Sequence, residues 1–232
     1  MAFLIFFGAM CYGGNNFKIL SRPEVCIKTS ITAPLQTSLK NETVSFSNIV
    51  MLDFSSLYFD IGFSLSDGHT DSVVRSFIKP LSLRWCEFGI GAGYHLYDYF
   101  TSFIEQDILS GCYFNFNCCD WLKIQVHSGH ILKVTSFRDS SIDKRLVNSS
   151  WFVGLSFFFI VNDFFNIYFD FKSTDFYDYP FLGTPFFKLG GEIKCNKNIS
   201  IGADYTLKMI DMIAVAESPS EMLMTFYGKI KF

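Results

Sequence analysis

The chain has 232 residues, a length that suits one large domain or two small ones. Half of the residues are apolar, 29 residues are Phe, and only 18% are charged, compared with roughly 25% in soluble domains. With a net charge of −3 and a pI of 5.8, the chain is not expected to bind nucleic acid. This composition predicts a protein in apolar surroundings.

The first element is an apolar run, AFLIFFGAMCYGG, at residues 2–14. It is too short to span a bilayer as a helix, and its length is typical of the apolar part of a secretory signal. Such a signal also begins with a positive segment, yet no Lys or Arg precedes Lys18. We expect an export signal at 1–14 that lacks its first residues, or else a buried strand, followed by an N-terminal segment at 15–43.

Beyond this segment, apolar and polar residues alternate along most of the chain, and a period of two predicts β-strands. Phe59, Ile61 and Phe63, for example, alternate with Asp60 and Gly62. The pattern predicts ten strands, near 44–52, 56–66, 86–97, 107–117, 120–134, 150–161, 164–172, 186–195, 199–210 and 222–232. The first strand is the weakest prediction, and 25–33 is an alternative to it.

Seven cysteines are spread over the chain without regular spacing, which does not predict a disulfide framework. Cys118, Cys119, His127 and His130 are close in sequence, but their spacing matches no zinc motif. We therefore expect no metal ion and no cofactor.

The segment 151–171, WFVGLSFFFIVNDFFNIYFDF, is long and apolar enough to resemble a transmembrane helix. Asp163 lies in its middle, however, and an Asp at the centre of a membrane helix costs about 2.5–3.5 kcal/mol. The second half also alternates with a period of two. Asn162-Asp163 between two β-rich runs is typical of a tight turn, so the segment is predicted to be a hairpin.

The predicted connections alternate in length from residue 98 onward. Short ones lie at 118–119, 162–163 and 196–198, and longer ones at 98–106, 135–149, 173–185 and 211–221. Short turns at one end and long loops at the other are typical of outer-membrane barrels. Residues 67–85 do not fit, because a short turn is expected there. They are either a periplasmic excursion or an overlooked pair of strands.

Alternation alone is also compatible with a soluble, lipocalin-like barrel. The interior of a narrow barrel is just filled by side chains, so it has no room for the Phe-rich apolar set of ten strands. We therefore expect the apolar set to face lipid, while closure hides every backbone edge. The predicted fold is all-β: an antiparallel up-and-down transmembrane β-barrel over 44–232, with about ten strands and with eight or twelve as alternatives.

The last predicted strand lies in EMLMTFYGKIKF, residues 221–232, and ends on Phe232. In this feature the chain resembles the small outer-membrane β-barrel proteins of diderm bacteria, with OmpW-like or related porin-like barrels of eight to ten strands as the nearest group. In that family the last strand is the signal read by the barrel-assembly machinery. Phe226, Ile230 and Phe232 match this signal, whereas Gly228 departs from it. The resemblance implies location in the bacterial outer membrane, with its lipid and the assembly machinery as partners.

The polar face of the predicted strands would line the barrel lumen. Ten candidates are Asp60, Glu87, His95, Lys123, Asp170, Lys188, Glu192, Asp204, Lys208 and Lys229. If opposite charges pair and fill the lumen, the barrel is a rigid anchor. If they leave a path, the barrel conducts small solutes.

We predict a narrow channel or small-solute uptake pore without enzymatic activity. An alternative is a structural anchor or adhesin that binds host ligands through surface-exposed loops at 135–149 and 173–185. A minor alternative is a lipid-modifying enzyme that uses Ser128 and His130, which share one face of a strand. No carboxylate can be assigned to orient that pair, and a catalytic relay requires one.

Overall fold

A computed structural model describes residues 24–37, 44–54, 56–100, 103–138, 145–173, 185–208 and 221–232. In these residues the chain forms β1 Glu24–Thr37, β2 Ser45–Asp53, β3 Leu57–Leu65, β4 His69–Ser82, β5 Cys86–Tyr99, β6 Phe103–Cys119, β7 Leu122–Phe137, β8 Arg145–Ile160, β9 Phe165–Ser173, β10 Pro185–Lys194, β11 Ile199–Lys208 and β12 Glu221–Lys231. Each strand is antiparallel to the next, and β1 pairs with β12, which closes the barrel. The predicted all-β, up-and-down barrel is confirmed. No helix in the described ranges is long and apolar enough to span a bilayer.

The predicted number of ten strands is wrong, since the described residues form twelve, the higher of the two alternatives. The ten predicted strands correspond to β2, β3 and β5–β12. The stretch 25–33, considered only as a rival to 44–52, lies in β1, while 44–52 is nearly the whole of β2, so both form strands. The barrel therefore begins at Glu24 and not at 44, within the segment 15–43 that was placed before it. The predicted export signal at 1–14 lies outside the described residues.

The stretch 67–85 is neither a periplasmic excursion nor a pair of strands, because it contains the single strand β4. The sequence pattern did not show β4, since Ser72 and Ser76 lie on its outward face while Val73 and Phe77 lie on its inward face. A bulge near Ile78 also shifts the alternation before the strand ends. Because Arg75 faces inward and Val74 faces outward, polar and apolar residues occur on both faces of β4.

The two rims of the barrel differ in the length of their connections. The rim where β1 begins and β12 ends, here called the terminal rim, carries the connections 54–56, 83–85, 120–121, 161–164 and 195–198. The opposite rim, here called the distal rim, carries 38–44, 66–68, 100–102, 138–144, 174–184 and 209–220. The longest connections lie at the distal rim, as predicted, although 66–68 and 100–102 are short.

The hairpin predicted for 151–171 is confirmed by the pairing of β8 with β9. Its turn is stabilised by Asn162, whose side-chain oxygen accepts hydrogen bonds from the backbone N–H groups of Phe164 and Phe165 at 2.9 and 2.8 Å. An Asn side chain that binds the backbone in this way mimics a backbone turn. This explains why an Asn-Asp pair interrupts an otherwise apolar run.

The distribution of polarity is the reverse of that in a soluble protein. Outward-facing Ile61, Leu189 and Ile201 are 47%, 55% and 51% exposed, whereas inward-facing Asp60 and Asp204 are 1% and 2% exposed. Exposed aromatic residues also mark the terminal rim: Trp85, Trp121, Phe164 and Phe232. An apolar outer surface flanked by aromatic residues is the arrangement of barrels that lie in lipid. A lipocalin-like barrel would need the apolar set inside.

Candidate functional site: the barrel lumen

Glycines on the inner wall make room for aromatic rings from neighbouring strands. Tyr168 of β9 lies over Gly190 of β10, and Tyr227 of β12 lies over Gly202 of β11. A Cβ atom on either glycine would collide with the tyrosine ring. Glycine within a strand often marks such a close approach. Both rings therefore lie against the wall, and neither projects into the lumen.

Each of these rings reaches across one strand to a carboxylate on the strand beyond. The Tyr168 hydroxyl donates to Asp204 Oδ2 on β11 at 3.0 Å, and the Tyr227 hydroxyl donates to Glu192 Oε2 on β10 at 3.3 Å. Tyr168 reaches from β9 to β11, and Tyr227 reaches in the opposite direction from β12 to β10. Together the two hydrogen bonds link four consecutive strands, β9 to β12.

Lysine side chains surround the same carboxylates. Lys229 forms an ion pair with Glu192, and Lys188 Nζ lies 3.8 Å from Asp204 Oδ1. Lys28 Nζ of β1 lies 4.1 Å from the centre of the Tyr227 ring, within the range of a cation–π interaction. Burying a carboxylate is unfavourable unless it is paired and hydrogen-bonded, and these contacts meet that requirement for Glu192 and Asp204.

The seven side chains just described line a cavity of about 310 Å³ together with Phe158, Asn166 and Asp170. We call it the lysine cavity. Its residues come from β1 and β8–β12, which form one side of the lumen. Three lysines and three carboxylates contribute to it, so its formal charges cancel. The structure thus contains open, polar space inside the barrel.

The opposite side of the lumen is held by another set of paired charges. The contacts are Arg75 with Asp60, Lys79 with Asp53, His95 with Asp71 and Lys133 with Glu105. The Arg75–Asp60 pair has a distance of 3.0 Å and almost fully buries the carboxylate. Opposite charges therefore neutralise each other along this wall too, either between neighbouring strands or, for Lys79 and Asp53, across β3.

A third tyrosine repeats the ring-on-glycine arrangement on this side. Tyr113 of β6 lies over Gly89 of β5 and donates its hydroxyl hydrogen bond to Glu87 Oε1 at 2.9 Å. The side-chain amide of Asn115 donates to the same oxygen at 3.0 Å. This wall is more crowded, because Phe77 packs edge-on against Tyr113 at a centroid distance of 5.4 Å.

The ten predicted lumen candidates do not form one site. Asp170, Lys188, Glu192, Asp204 and Lys229 come together in the lysine cavity. Asp60, Glu87 and His95 lie on the inner face of the opposite wall. Lys123 lies at the terminal rim, where it lines a second cavity of about 430 Å³. The side chain of Lys208 lies outside the described residues.

Five residues of the lysine cavity were missed by sequence reasoning: Lys28, Phe158, Asn166, Tyr168 and Tyr227. Lys28 belongs to β1, which was not among the ten predicted strands. The other four were not considered because they carry no charge at neutral pH. A signal was present, since Tyr168 and Tyr227 each lie two residues from a charged candidate and hence share its face.

The structure does not support a catalytic pair of Ser128 and His130. Both lie on the outer face of β7, but His130 Nε2 lies 2.6 Å from the hydroxyl of Ser149 on β8. The imidazole also packs edge-on against Trp151. Among the described residues no carboxylate hydrogen-bonds to His130, so nothing orients the ring as a general base. The described residues also contain no cluster of three or more His, Cys, Asp or Glu placed to hold a metal ion.

The predicted assembly signal lies on the outer face of β12. Phe226, Ile230 and Phe232 are 56%, 45% and 71% exposed. The backbone N–H of Phe232 donates to the carbonyl of Val25, so the last residue joins the pairing that closes the barrel. These side chains are accessible to lipid or to another protein.

No protein family and no curated protein matches this sequence. Solved structures match its fold. The NanC porin aligns over 89% of this chain and 100% of its own, with a TM-score of 0.66 and 8% identity. The KdgM porin aligns over 89% of this chain and 99% of its own, with a TM-score of 0.60 and 9% identity. An outer membrane channel from Pseudomonas putida F1 aligns over 95% of this chain and 99% of its own, with a TM-score of 0.55 and 11% identity. These similarities show a porin-like barrel fold. They do not confirm the predicted likeness to OmpW or the predicted count of eight to ten strands.

Proposed function

We propose that this protein is an outer-membrane channel through which small polar solutes diffuse. The observation that carries the proposal is the lysine cavity, an open polar space inside a closed barrel whose outer surface is apolar. The likeness in fold to porins and channels supports it. Fold alone does not determine function, so the argument rests on the lumen.

The packing of the inner wall favours a channel over a filled anchor. In a filled barrel, inward side chains meet across the lumen. Here Tyr168 and Tyr227 lie over glycines of the wall, and the charges next to them pair within the wall. A barrel of twelve strands is also wider than one of eight, whose interior is just filled by side chains.

Conductance across a planar lipid bilayer tests the proposal. The protein, refolded in detergent and shown to be folded by its heat-modifiable migration on gels, should produce discrete conductance steps. A folded barrel that stays electrically silent would contradict the channel and favour an anchor. An adhesive role through the loops at 135–149 and 173–185 stays a prediction, since 139–144 and 174–184 lie outside the described residues.

A further inference from the structure

The lysine cavity contains two hydrogen-bond acceptors to which no described residue donates. The side-chain oxygen of Asn166 and Oδ1 of Asp170 are buried and accept no hydrogen bond from the described residues. They are four residues apart on β9 and therefore share the inward face. A buried acceptor without a donor costs about 1–3 kcal/mol, so a solute donor is favourable once either side chain turns its oxygen towards the cavity.

Elsewhere in the same cavity lies a cation that has no carboxylate partner in the described part of the chain. Lys188 and Lys229 each have a carboxylate beside them, but Lys28 forms no ion pair with the described residues and rests on the Tyr227 ring. An ammonium group in this position can receive an anion without losing an existing ion pair. Lys28 is on β1 and the unused acceptors are on β9, with β10, β11 and β12 between them.

We infer that the lysine cavity selects zwitterionic solutes, namely amino acids and short peptides. The solute carboxylate binds Lys28, and the solute ammonium group donates to Asp170 and Asn166. A solute with one charge binds either Lys28 or the two acceptors, but not both. A neutral solute has no charge to pair with either group. This inference rests on the proposed channel function and adds a substrate class to it.

Four solutes of nearly equal size and shape test this selectivity: alanine as zwitterion, lactate as anion, alaninamide as cation and lactamide as neutral molecule. Their uptake into proteoliposomes that contain the full chain is measured with radiolabelled solutes. Alanine should enter fastest. The control for non-specific leakage is the same vesicle without protein.

Variants assign the two ends of the solute. Lys28→Met should slow alanine and lactate by about fivefold, the equivalent of ~1 kcal/mol, and leave alaninamide unaffected. Asn166→Leu and Asp170→Asn should slow alanine and alaninamide and leave lactate unaffected. Each variant is first checked for heat-modifiable migration, so that a misfolded barrel is not mistaken for a changed channel. Two acceptor variants are used in case one does not fold.

Lys123→Met is the matched control, because Lys123 is an inner-wall lysine outside the lysine cavity, and the order of the four solutes should not change. Equal rates for alanine and lactamide would overturn the inference and leave the channel intact. An unchanged order in folded Lys28→Met and Asn166→Leu would overturn the assignment of these residues. If a folded barrel takes up none of the four solutes, the channel proposal itself fails.

Discussion

Individual glycines on the inner wall determine how much open space the lumen has. Gly190 and Gly202 face Tyr168 and Tyr227, and the rings occupy the volume where a side chain would otherwise project. The absence of one methyl group at each position therefore places a whole ring against the wall. The lysine cavity depends on these two contacts.

Replacement of Gly202 by Ala should narrow the channel. The new methyl group would collide with the Tyr227 ring, which must move away from the wall and towards the cavity. We expect a smaller single-channel conductance and a loss of about 1–3 kcal/mol in unfolding free energy, as in other overpacked sites. Conductance in planar bilayers and urea unfolding in detergent measure the two effects.

Gly228 provides a control on the neighbouring strand. A Cβ atom there would have no heavy atom within 4 Å. Gly228→Ala should therefore leave the conductance and the unfolding free energy nearly unchanged. If both alanine variants conduct like the unmodified protein, the ring-on-glycine contact does not determine the lumen width.

At the scale of strands, β9 to β12 are joined by more than their backbone ladder. Tyr168 and Tyr227 carry hydrogen bonds past an intervening strand, in opposite directions. A shear of β10 against β11 would break both bonds. This group of strands is therefore expected to behave as one stable unit of the barrel.

Tyr168→Phe should destabilise the barrel by about 1.5–3 kcal/mol, because it removes a hydrogen bond to a buried carboxylate. Among the described residues, Asp204 would keep the more distant Lys188 and Thr206 Oγ1 at 3.5 Å. Urea unfolding followed by tryptophan fluorescence measures the change. Tyr205→Phe is the matched control, since Tyr205 lies on β11 but faces outward. Equal destabilisation by both substitutions would show that the hydrogen bond from Tyr168 to Asp204 does not stabilise the barrel.

At the scale of the whole molecule, the barrel has an apolar outer surface and two unlike rims. Cys195 is exposed at the terminal rim, and Gly68 lies in the short turn 66–68 at the distal rim. In barrels of the outer membrane the short turns face the periplasm and the longer loops face outward. The proposed location therefore specifies which rim is accessible from outside the cell.

Labelling with a membrane-impermeant maleimide tests this orientation. In a variant whose only cysteine is Cys195, labelling should require permeabilisation of the outer membrane. In a variant from which all seven native cysteines have been removed, Gly68→Cys should be labelled in intact cells. A Cβ at this position meets no neighbouring atom, so the change is structurally mild. The opposite labelling pattern would show that the terminal rim faces outward. Labelling of both positions in intact cells would contradict a membrane-spanning location.

Local pattern in the sequence determined much of the fold. Residues such as Phe59, Ile61 and Phe63 reveal a strand and its outward face without reference to the rest of the chain, because side chains alternate along every strand. The hairpin around Asn162 could be predicted for the same reason. β4 was missed because polar and apolar residues occur on both of its faces, which leaves no local signal.

Only the tertiary structure decided the closure of the barrel, the number of strands and the composition of the lysine cavity. Lys28 lies opposite Lys229 because β1 pairs with β12, and the Thr32–Thr225 contact in that pair joins residues 193 positions apart. Likewise, the register of β9 to β12 places Tyr168 near Asp204. A period of two indicates which face a residue occupies, but it carries no information about the strand it meets. The chemistry of the lumen depends on which residues the strand pairing brings together.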